Sequence, residues 1–429
     1  MEVFKEDFEY FAPQILETSV NRSFYIEYMP VSAFQHGLPI QFIVPSSSSI
    51  YLSLNKSYIY VRAKITLPNG NDIAPGDEVG PINLPLHSLF RNIEIELNGK
   101  SISDSNPMYP YRAYLETLLG NENDTQNTVL ESAIWNKDTP GNFANFHTAN
   151  NSPNSGLVSH ATFFRQSAEV EMMGRPHCDI FQSRNAIPPD ISLRLRLIPS
   201  TDEFLLVCPN GGPNYRFQII DIRFCVYCLE GSNQLILAHN QALSSANVRI
   251  PLKKIAMKHL TIPPGVQSTL YDNVYQGVIP SIVIVALVTD AAMSGGYQEN
   301  PFHFHHFNVN HICICVNGEQ FPSKDFQPNF ANNIYLKEYN SIFEGLGIHS
   351  SNDSVSITRS SYPHGYTLFV FNLKPDPHSS IGISPTRNGN LRLDIKFAQA
   401  IAQAVNIILY ATFESVLEID KYHNIIGPS

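Results

Sequence analysis

The sequence predicts an all-β protein built as two tandem antiparallel jelly-roll β-sandwiches, a double jelly roll, with short helices in the loops. Three observations predict it. Apolar and polar residues alternate over many short segments separated by Pro, Gly and Asn, which is the pattern of strands with one buried face. One unit occurs twice: a strand, an Asn-Gly turn, a proline-bearing crossing and a short helix, offset by 219 residues (317 minus 98). Finally, 429 residues exceed the roughly 250–300 that one hydrophobic core supports, so two domains are expected.

Residues 1–36 read as an N-terminal arm, part helical over 11–18 and extended over 24–29, with a small core contribution. The first jelly roll spans 37–230. It opens with alternation at Ile40, Phe42 and Val44, then a Pro-Ser break, a short strand at Tyr51, Leu52 and Leu54, and a long one over 58–67. Ile93, Ile95 and Leu97 alternate with Asn92, Glu94 and Glu96, and Asn98-Gly99 closes that strand. Asn and Gly tolerate the positive φ that a two-residue hairpin turn demands. Tyr111, Tyr114, Leu115 and Leu118, ending at Gly120, have helical spacing.

A long insertion, about 121–168, follows. It is rich in Asn, Thr, Ser and Pro and carries Trp135. Structureless loops of this length do external work, so it reads as an outward-facing tower or a neighbour-binding loop. Strands resume over 168–173, 191–198 and 215–229, and residues 231–247 form the linker.

The second jelly roll, 248–421, repeats the plan before a tail at 422–429. Residues 255–264 answer 40–45, 281–288 answer 58–67, 366–373 answer 168–173, 391–395 answer 193–197, and 404–419 answer 215–229. Ile312, Ile314 and Val316 lead to Asn317-Gly318, and Tyr335, Leu336, Tyr339 and Phe343 lead to Gly347. The structural turns are thus Asn98, Gly99, Asn317 and Gly318.

Charged residues are only 15% of the chain against 43% hydrophobic, so the surface relies on uncharged polar groups and suits coverage by partners. The formal charge of −10 argues against a sequence-independent grip on nucleic acid, which needs clustered Lys and Arg. There is no run long enough to span a membrane and no secretory pattern at the N-terminus, so a reducing compartment is expected. The six cysteines then read as free thiols. The sequons at 123–125 and 352–354 read as unused.

Catalytic signatures are absent from the sequence: no Gly-x-Ser-x-Gly elbow, no phosphate loop, no His-Glu-x-x-His. The candidate constellation for chemistry is His303, His305, His311, Cys313 and Cys315. On a strand, His303 and His305 share one face, as do His311, Cys313 and Cys315, a nitrogen and sulfur set suited to a metal. The competing reading is a loop entering a core strand, with Cys as small hydrophobes and His as polar packing; no metal or other cofactor is expected. Imidazoles also allow a pH-responsive contact. Cys225 and Cys228 lie three apart on one strand, which turns their sulfurs to opposite faces and favours core cysteines over a redox pair.

The runs NLPLHSLFRNIEIELNGKSI, YPYRAYLETLLG, GYTLFVFNLKPD, RNGNLRLDIKF and NIILYATFESVLEIDKYHNI resemble the major capsid proteins of Polinton (Maverick) elements and adintoviruses. That family is related to the double jelly-roll capsid proteins of adenovirus-like icosahedral DNA viruses. The resemblance runs from about 39 to 426 and departs most at 121–168. It implies a homotrimer whose six jelly rolls form a pseudo-hexameric capsomer tiling an icosahedral double-stranded DNA virus shell. It also implies self-assembly with neighbouring capsomers, penton and minor capsid partners, contacts through the arm and tail, a place in the virion after synthesis in the host cytoplasm and assembly in cytoplasm or nucleus, and no enzymatic role. The alternative from another class is a two-domain β-sandwich glycan-binding protein; a carbohydrate-active enzyme would need two acids facing across a cleft.

Overall fold

The computed structural model describes residues 19–103, 107–121, 123–126, 128–209, 212, 214–349, 354–374 and 387–427. The helical expectation at 11–18 and part of the sequon at 352–354 lie outside them.

Among the described residues, sixteen principal strands form two sets of eight. The first set is β1 (Val20–Tyr28), β2 (Ile40–Val44), β3 (Ile50–Thr66), β4 (Phe90–Leu97), β5 (Lys100–Ser101), β6 (Val170–Gly174), β7 (Leu193–Pro199) and β8 (Arg216–Gly231). The second is β9 (Val248–Ile262), β10 (Ser268–Val278), β11 (Ile282–Thr289), β12 (Val309–Val316), β13 (Glu319–Phe326), β14 (Leu368–Asn372), β15 (Asn388–Phe397) and β16 (Val405–Ile419). Each set folds into two antiparallel sheets of four principal strands, with the short strand Ile425–Ile426 also pairing with β16. In the first they are ordered β1-β8-β3-β6 and β2-β7-β4-β5; in the second, β9-β16-β11-β14 and β10-β15-β12-β13. Adding eight to every label of the first sandwich gives the second. Four helices of ten residues or more lie between strands: α1 (Tyr109–Gly120), α2 (Ser155–Phe164), α3 (Asn233–Leu243) and α4 (Leu336–Leu346).

This order corrects the sequence reading in three places. The extended part of the arm is β1, paired with β8 from Val20 to Tyr28, so the first sandwich reaches back into the arm. Residues 255–264 therefore answer β1; the counterpart of 40–45 is β10, which the sequence hid. The strands expected at 51–54 and 58–67 are one strand, β3, whose pairing with β8 jumps from Tyr58–Cys225 to Ser53–Tyr227.

The burial pattern separates the four sheets. In β3, Ile59, Val61, Ala63 and Ile65 are buried while Tyr60, Arg62 and Lys64 are half-buried, as expected of a strand with one solvated face. In β11, Val283 to Val288 are all buried, and so are Leu368 to Phe371 of β14. The sheet β9-β16-β11-β14 is thus covered on both faces at β11 and β14, while its edge strand β9 alternates buried and exposed residues; the first half of the chain reaches its outer face through Glu116–Tyr410 and Asp179–Ile255. The span expected as a linker, 231–247, begins with Gly231, the last residue of β8, and continues into α3, whose N-cap Ser232 accepts from the Leu235 N–H. None of the residues of α3 is fully buried.

Candidate functional site at the sandwich junction

The junction is built around α1. Nearly all of this helix is buried, because it lies between the sandwich it belongs to and the second one. Tyr114 stacks on Phe302, with ring centroids 4.1 Å apart and planes 10° from parallel. Tyr111 meets the same ring edge-on at 5.8 Å. Such pairs add about 0.5–1.5 kcal/mol beyond area burial.

A polar network lies on the same helix. Arg112 pairs with Glu116 one turn on, Nε to Oε1 at 2.9 Å, and with Asp179 at 2.7 Å. Glu116 also takes His177 Nδ1 at 2.7 Å and the Gln182 amide at 2.7 Å. The second sandwich joins through the Tyr410 hydroxyl, 3.4 Å from Glu116, and through the Ile255 N–H, which donates to Asp179 at 3.2 Å. Burial pushes the Glu116 carboxyl up, but the Arg112 guanidinium and His177 override it and hold it at about 2. The hollow beside this network is about 40 Å³, room for a water or so, far below the roughly 300 Å³ where small-molecule sites begin. The network orients two domains; it is not a substrate pocket. Sequence reasoning missed it, although opposite charges at i and i+4 in a helix were a readable signal.

The insertion 121–168 is the largest departure from expectation. It is not a structureless tower. Trp135, Phe143, Leu157 and Phe164 are buried, and α2 lies within it. Its middle forms part of the junction: the Gly141 N–H donates to the His364 carbonyl at 2.9 Å, and the Tyr366 hydroxyl donates to the Asp138 carbonyl at 2.6 Å. Lys137 Nζ lies 4.5 Å from the centroid of the Tyr366 ring, a cation–π contact. Phe143 passes directly over Gly365, where an added Cβ would lie 2.3 Å from the ring and where φ is +106°. Asp138 is buried, takes the Asn154 amide at 2.9 Å, and is raised by burial to about 6.

His303 and His305 come together here, rings 3.5 Å apart, with His303 stacked on Phe143 at 4.7 Å. Burial, with the neighbouring imidazoles, lowers His303 to about 3 and His305 to about 4. His303 packs against the insertion, and burial favours the neutral form of both rings. His160 is likewise lowered by burial to about 4.

His311, Cys313 and Cys315 belong to a separate place, the outer face of β12. Asp394 of β15 stands opposite Cys313 in the register. His311 Nδ1 lies 2.7 Å from Asp325 and its Nε2 3.6 Å from Asp394. Among the described residues, His311, Cys313 and Asp394 offer ligand atoms all within 4.8 Å of one another. Cys313 is pushed up to about 12 by burial and by Cys315 and Asp394. Cys225 and Cys228 are both buried and free.

The two Asn-Gly turns are alike in atomic detail. Asn98 and Asn317 have φ of 46° and 52°, and Gly99 and Gly318 of 78° and 89°. Asn98 Oδ1 accepts from the Ser192 N–H at 2.8 Å, and Asn317 Oδ1 accepts from the Asn390 N–H at 2.9 Å. Each asparagine thereby ties its hairpin to the start of the neighbouring strand.

No protein-family model matches the chain. An uncharacterized protein of Caenorhabditis elegans is 23% identical over 419 residues, covering 93% of this chain and 95% of the relative. Among solved structures, a chain of the Sputnik virophage superposes with a TM-score of 0.60 at 11% identity, covering 100% of this chain and 92% of that one. The PBCV-1 virus capsid gives 0.60 at 11% identity, covering 96% and 97%. At such identities the likeness defines the fold: the chain is a double jelly roll of the kind found in the capsids of large icosahedral DNA viruses.

Proposed function

We propose that this protein is a major capsid protein of the Polinton and adintovirus type, forming homotrimeric, pseudo-hexameric capsomers of an icosahedral double-stranded DNA virus shell. One observation carries the reading. Within the chain, the outer face of β9-β16-β11-β14 is covered by the first half, through α1 and the turn at 178–182. The corresponding face of the first sandwich, on β1-β8-β3-β6, has no such cover among the described residues. It carries Tyr25, Tyr58, Tyr60 and Tyr227 with Arg62 and Arg223, the residue types that dominate protein interfaces. Tyr25 is 49% exposed, and Met173, on the opposite edge strand β6, 41%.

The counterpart of α1 in the second half is α4, which begins at Leu336, 55% exposed, just after Ile334, 62% exposed. A second copy that repeats the in-chain contact sets α4 of one chain against the open sheet of the next. Such a contact is heterologous, and a rotation of one-third turn per chain closes it into a ring of three chains and six sandwiches. Neighbouring capsomers, a penton protein and minor capsid proteins are the further partners, and the virion is the location. The nematode relative, which covers nearly the whole chain, supports an element carried in animal genomes.

Light-scattering mass on the purified protein, with negative-stain imaging of the same fractions, tests this. Three chain masses with a hexagonal outline, or closed shells, are expected. A monomer that persists at high concentration overturns the reading and redirects effort to glycan screening.

A further inference from the structure

The outer faces of the two hairpin sheets provide an internal comparison. Counting back from the Asn-Gly turns, Glu94 and Glu96 of β4 occupy the positions of Cys313 and Cys315 of β12. Across the ladder, Arg194 and Arg196 of β7 correspond to Arg392 and Asp394 of β15. The first sandwich fills these places with an ion-pair ladder, Arg194 to Glu96 at 3.0 Å and Arg196 to Glu94 at 2.8 Å. The second sandwich has the same backbone pairing, with Cys313 opposite Asp394 and Cys315 opposite Arg392, yet these four positions hold no arginine–carboxylate pair among the described residues. The sheet therefore does not need a thiol beside a carboxylate at this position. What stands there instead is a convergent set of nitrogen, sulfur and oxygen donors.

We propose that His311, Cys313 and Asp394 form a binding site for a divalent transition-metal ion of the zinc type, with Asp325 as the positioning carboxylate. The donors are His311 Nε2, Cys313 Sγ and one Asp394 oxygen. Nε2 lies 3.6 Å from the Asp394 oxygen and 3.7 Å from Sγ. A four-coordinate ion with bonds of about 2.0–2.3 Å separates its ligands by roughly this much, so little movement closes the site. The tautomer is set from behind. Asp325, on β13, takes the Nδ1 proton at 2.7 Å, which leaves the Nε2 lone pair aimed at the other two donors. This is the carboxylate–histidine–metal arrangement that orients ligating imidazoles.

The donor mixture selects among metals. A thiolate with imidazole and carboxylate suits zinc or cobalt and disfavours magnesium and calcium, which take oxygen ligands. Binding releases the thiol proton to solvent and forms a metal–sulfur bond, with no change of oxidation state. His311, Asp325 and Asp394 are each only about one-fifth exposed, so the site is shielded while its outward side remains open to a fourth ligand such as water. Three protein ligands with an open position is also the pattern of a site that a neighbouring molecule can complete. The proposal stands independently of the assembly reading, since all four residues lie within one sandwich.

The test uses the full chain, stripped with a chelator and titrated with Co²⁺ and then Zn²⁺. One equivalent of cobalt should give a sulfur-to-cobalt charge-transfer band and intense four-coordinate visible bands, both erased by zinc. Cys313→Ser should abolish the charge-transfer band. Asp325→Asn should keep the spectrum but weaken zinc about 10–100-fold. Cys225→Ser should change neither. If Cys313→Ser does not fold, Asp394→Asn, a nearly isosteric change, serves in its place and should lose the four-coordinate spectrum. Absence of the sulfur band in the native chain, or its persistence in Cys313→Ser, overturns the assignment.

Discussion

At the scale of single residues, Asn98 and Asn317 each meet two demands at once. Each adopts positive φ, and each side chain accepts from the neighbouring strand. Asn317→Ala should cost about 2 kcal/mol, the sum of a left-handed backbone without Asn or Gly and a lost hydrogen bond, whereas Asn317→Gly should recover the backbone part and cost about 1 kcal/mol. Denaturant midpoints of the two variants separate the effects. The turn was legible from the residue pair alone; the side-chain bond was not, because its partner lies 73 residues away (390 minus 317).

The junction histidines make a second residue-scale prediction. His303 and His305 are lowered to about 3 and 4, below the ordinary 6.5 of an unfolded chain. As pH falls, the unfolded chain takes up protons first, so their contribution is full above 6.5 and is lost from there down to the folded values. Asp138, raised to about 6, acts oppositely: its contribution is full below about 3.8 and is lost as pH rises through 6. With His160 also lowered, three imidazoles outweigh one carboxyl. Unfolding midpoints should fall between pH 7 and pH 5, by on the order of 1–2 kcal/mol per imidazole. His303→Phe, which keeps the stack on Phe143, should flatten the profile; an unchanged slope would contradict this account.

At the scale of elements, the insertion 121–168 and β10 were the segments the sequence concealed, for different reasons. The insertion is dominated by Asn, Ser and Thr, and its few large apolar residues follow neither period, so composition read it as exposed. Yet Trp135 and Phe143 are 2% and 0% exposed. The residues that bury them come from α1 and from the second sandwich, at distances in sequence that no local pattern reports. In β10 the pairing with β15 slips between Tyr271 and Tyr275, which breaks the alternation. The hairpins β4–β5 and β12–β13 were legible because their buried faces are regular and their turns carry a fixed residue pair. Phe143→Ala should cost about 3–5 kcal/mol, and Gly365→Ala should also destabilise, through its positive φ and the overlying ring. Thermal unfolding of both variants checks this, and a loss under 1 kcal/mol for Phe143→Ala would show that the insertion is peripheral after all.

At the scale of the whole molecule, the two halves share one plan but differ in what covers their sheets. Tyr60 lies on the open face, its ring 5.8 Å from the Arg223 guanidinium and its hydroxyl donating to Glu171. Reversing the character of that face with Tyr25→Asp and Met173→Glu should leave the monomer folded, while reducing the proposed trimer at least tenfold. Sedimentation velocity reads the outcome directly. Trimers of undiminished stability would place the contact elsewhere.

The sheet β9-β16-β11-β14 has a consequence for the making of the protein. A ribosome delivers the first sandwich complete, with α1 and the insertion in place, before β11, β14 and β16 emerge. β11, β14 and the first half of β16 are buried on both sides, so each needs a seat waiting for it. Chain order supplies one: the half that can tolerate water is made first and receives the half that cannot. Residues 248–427 synthesised alone should therefore aggregate, and the same segment made in the presence of a separately expressed 19–247 should be rescued into solution.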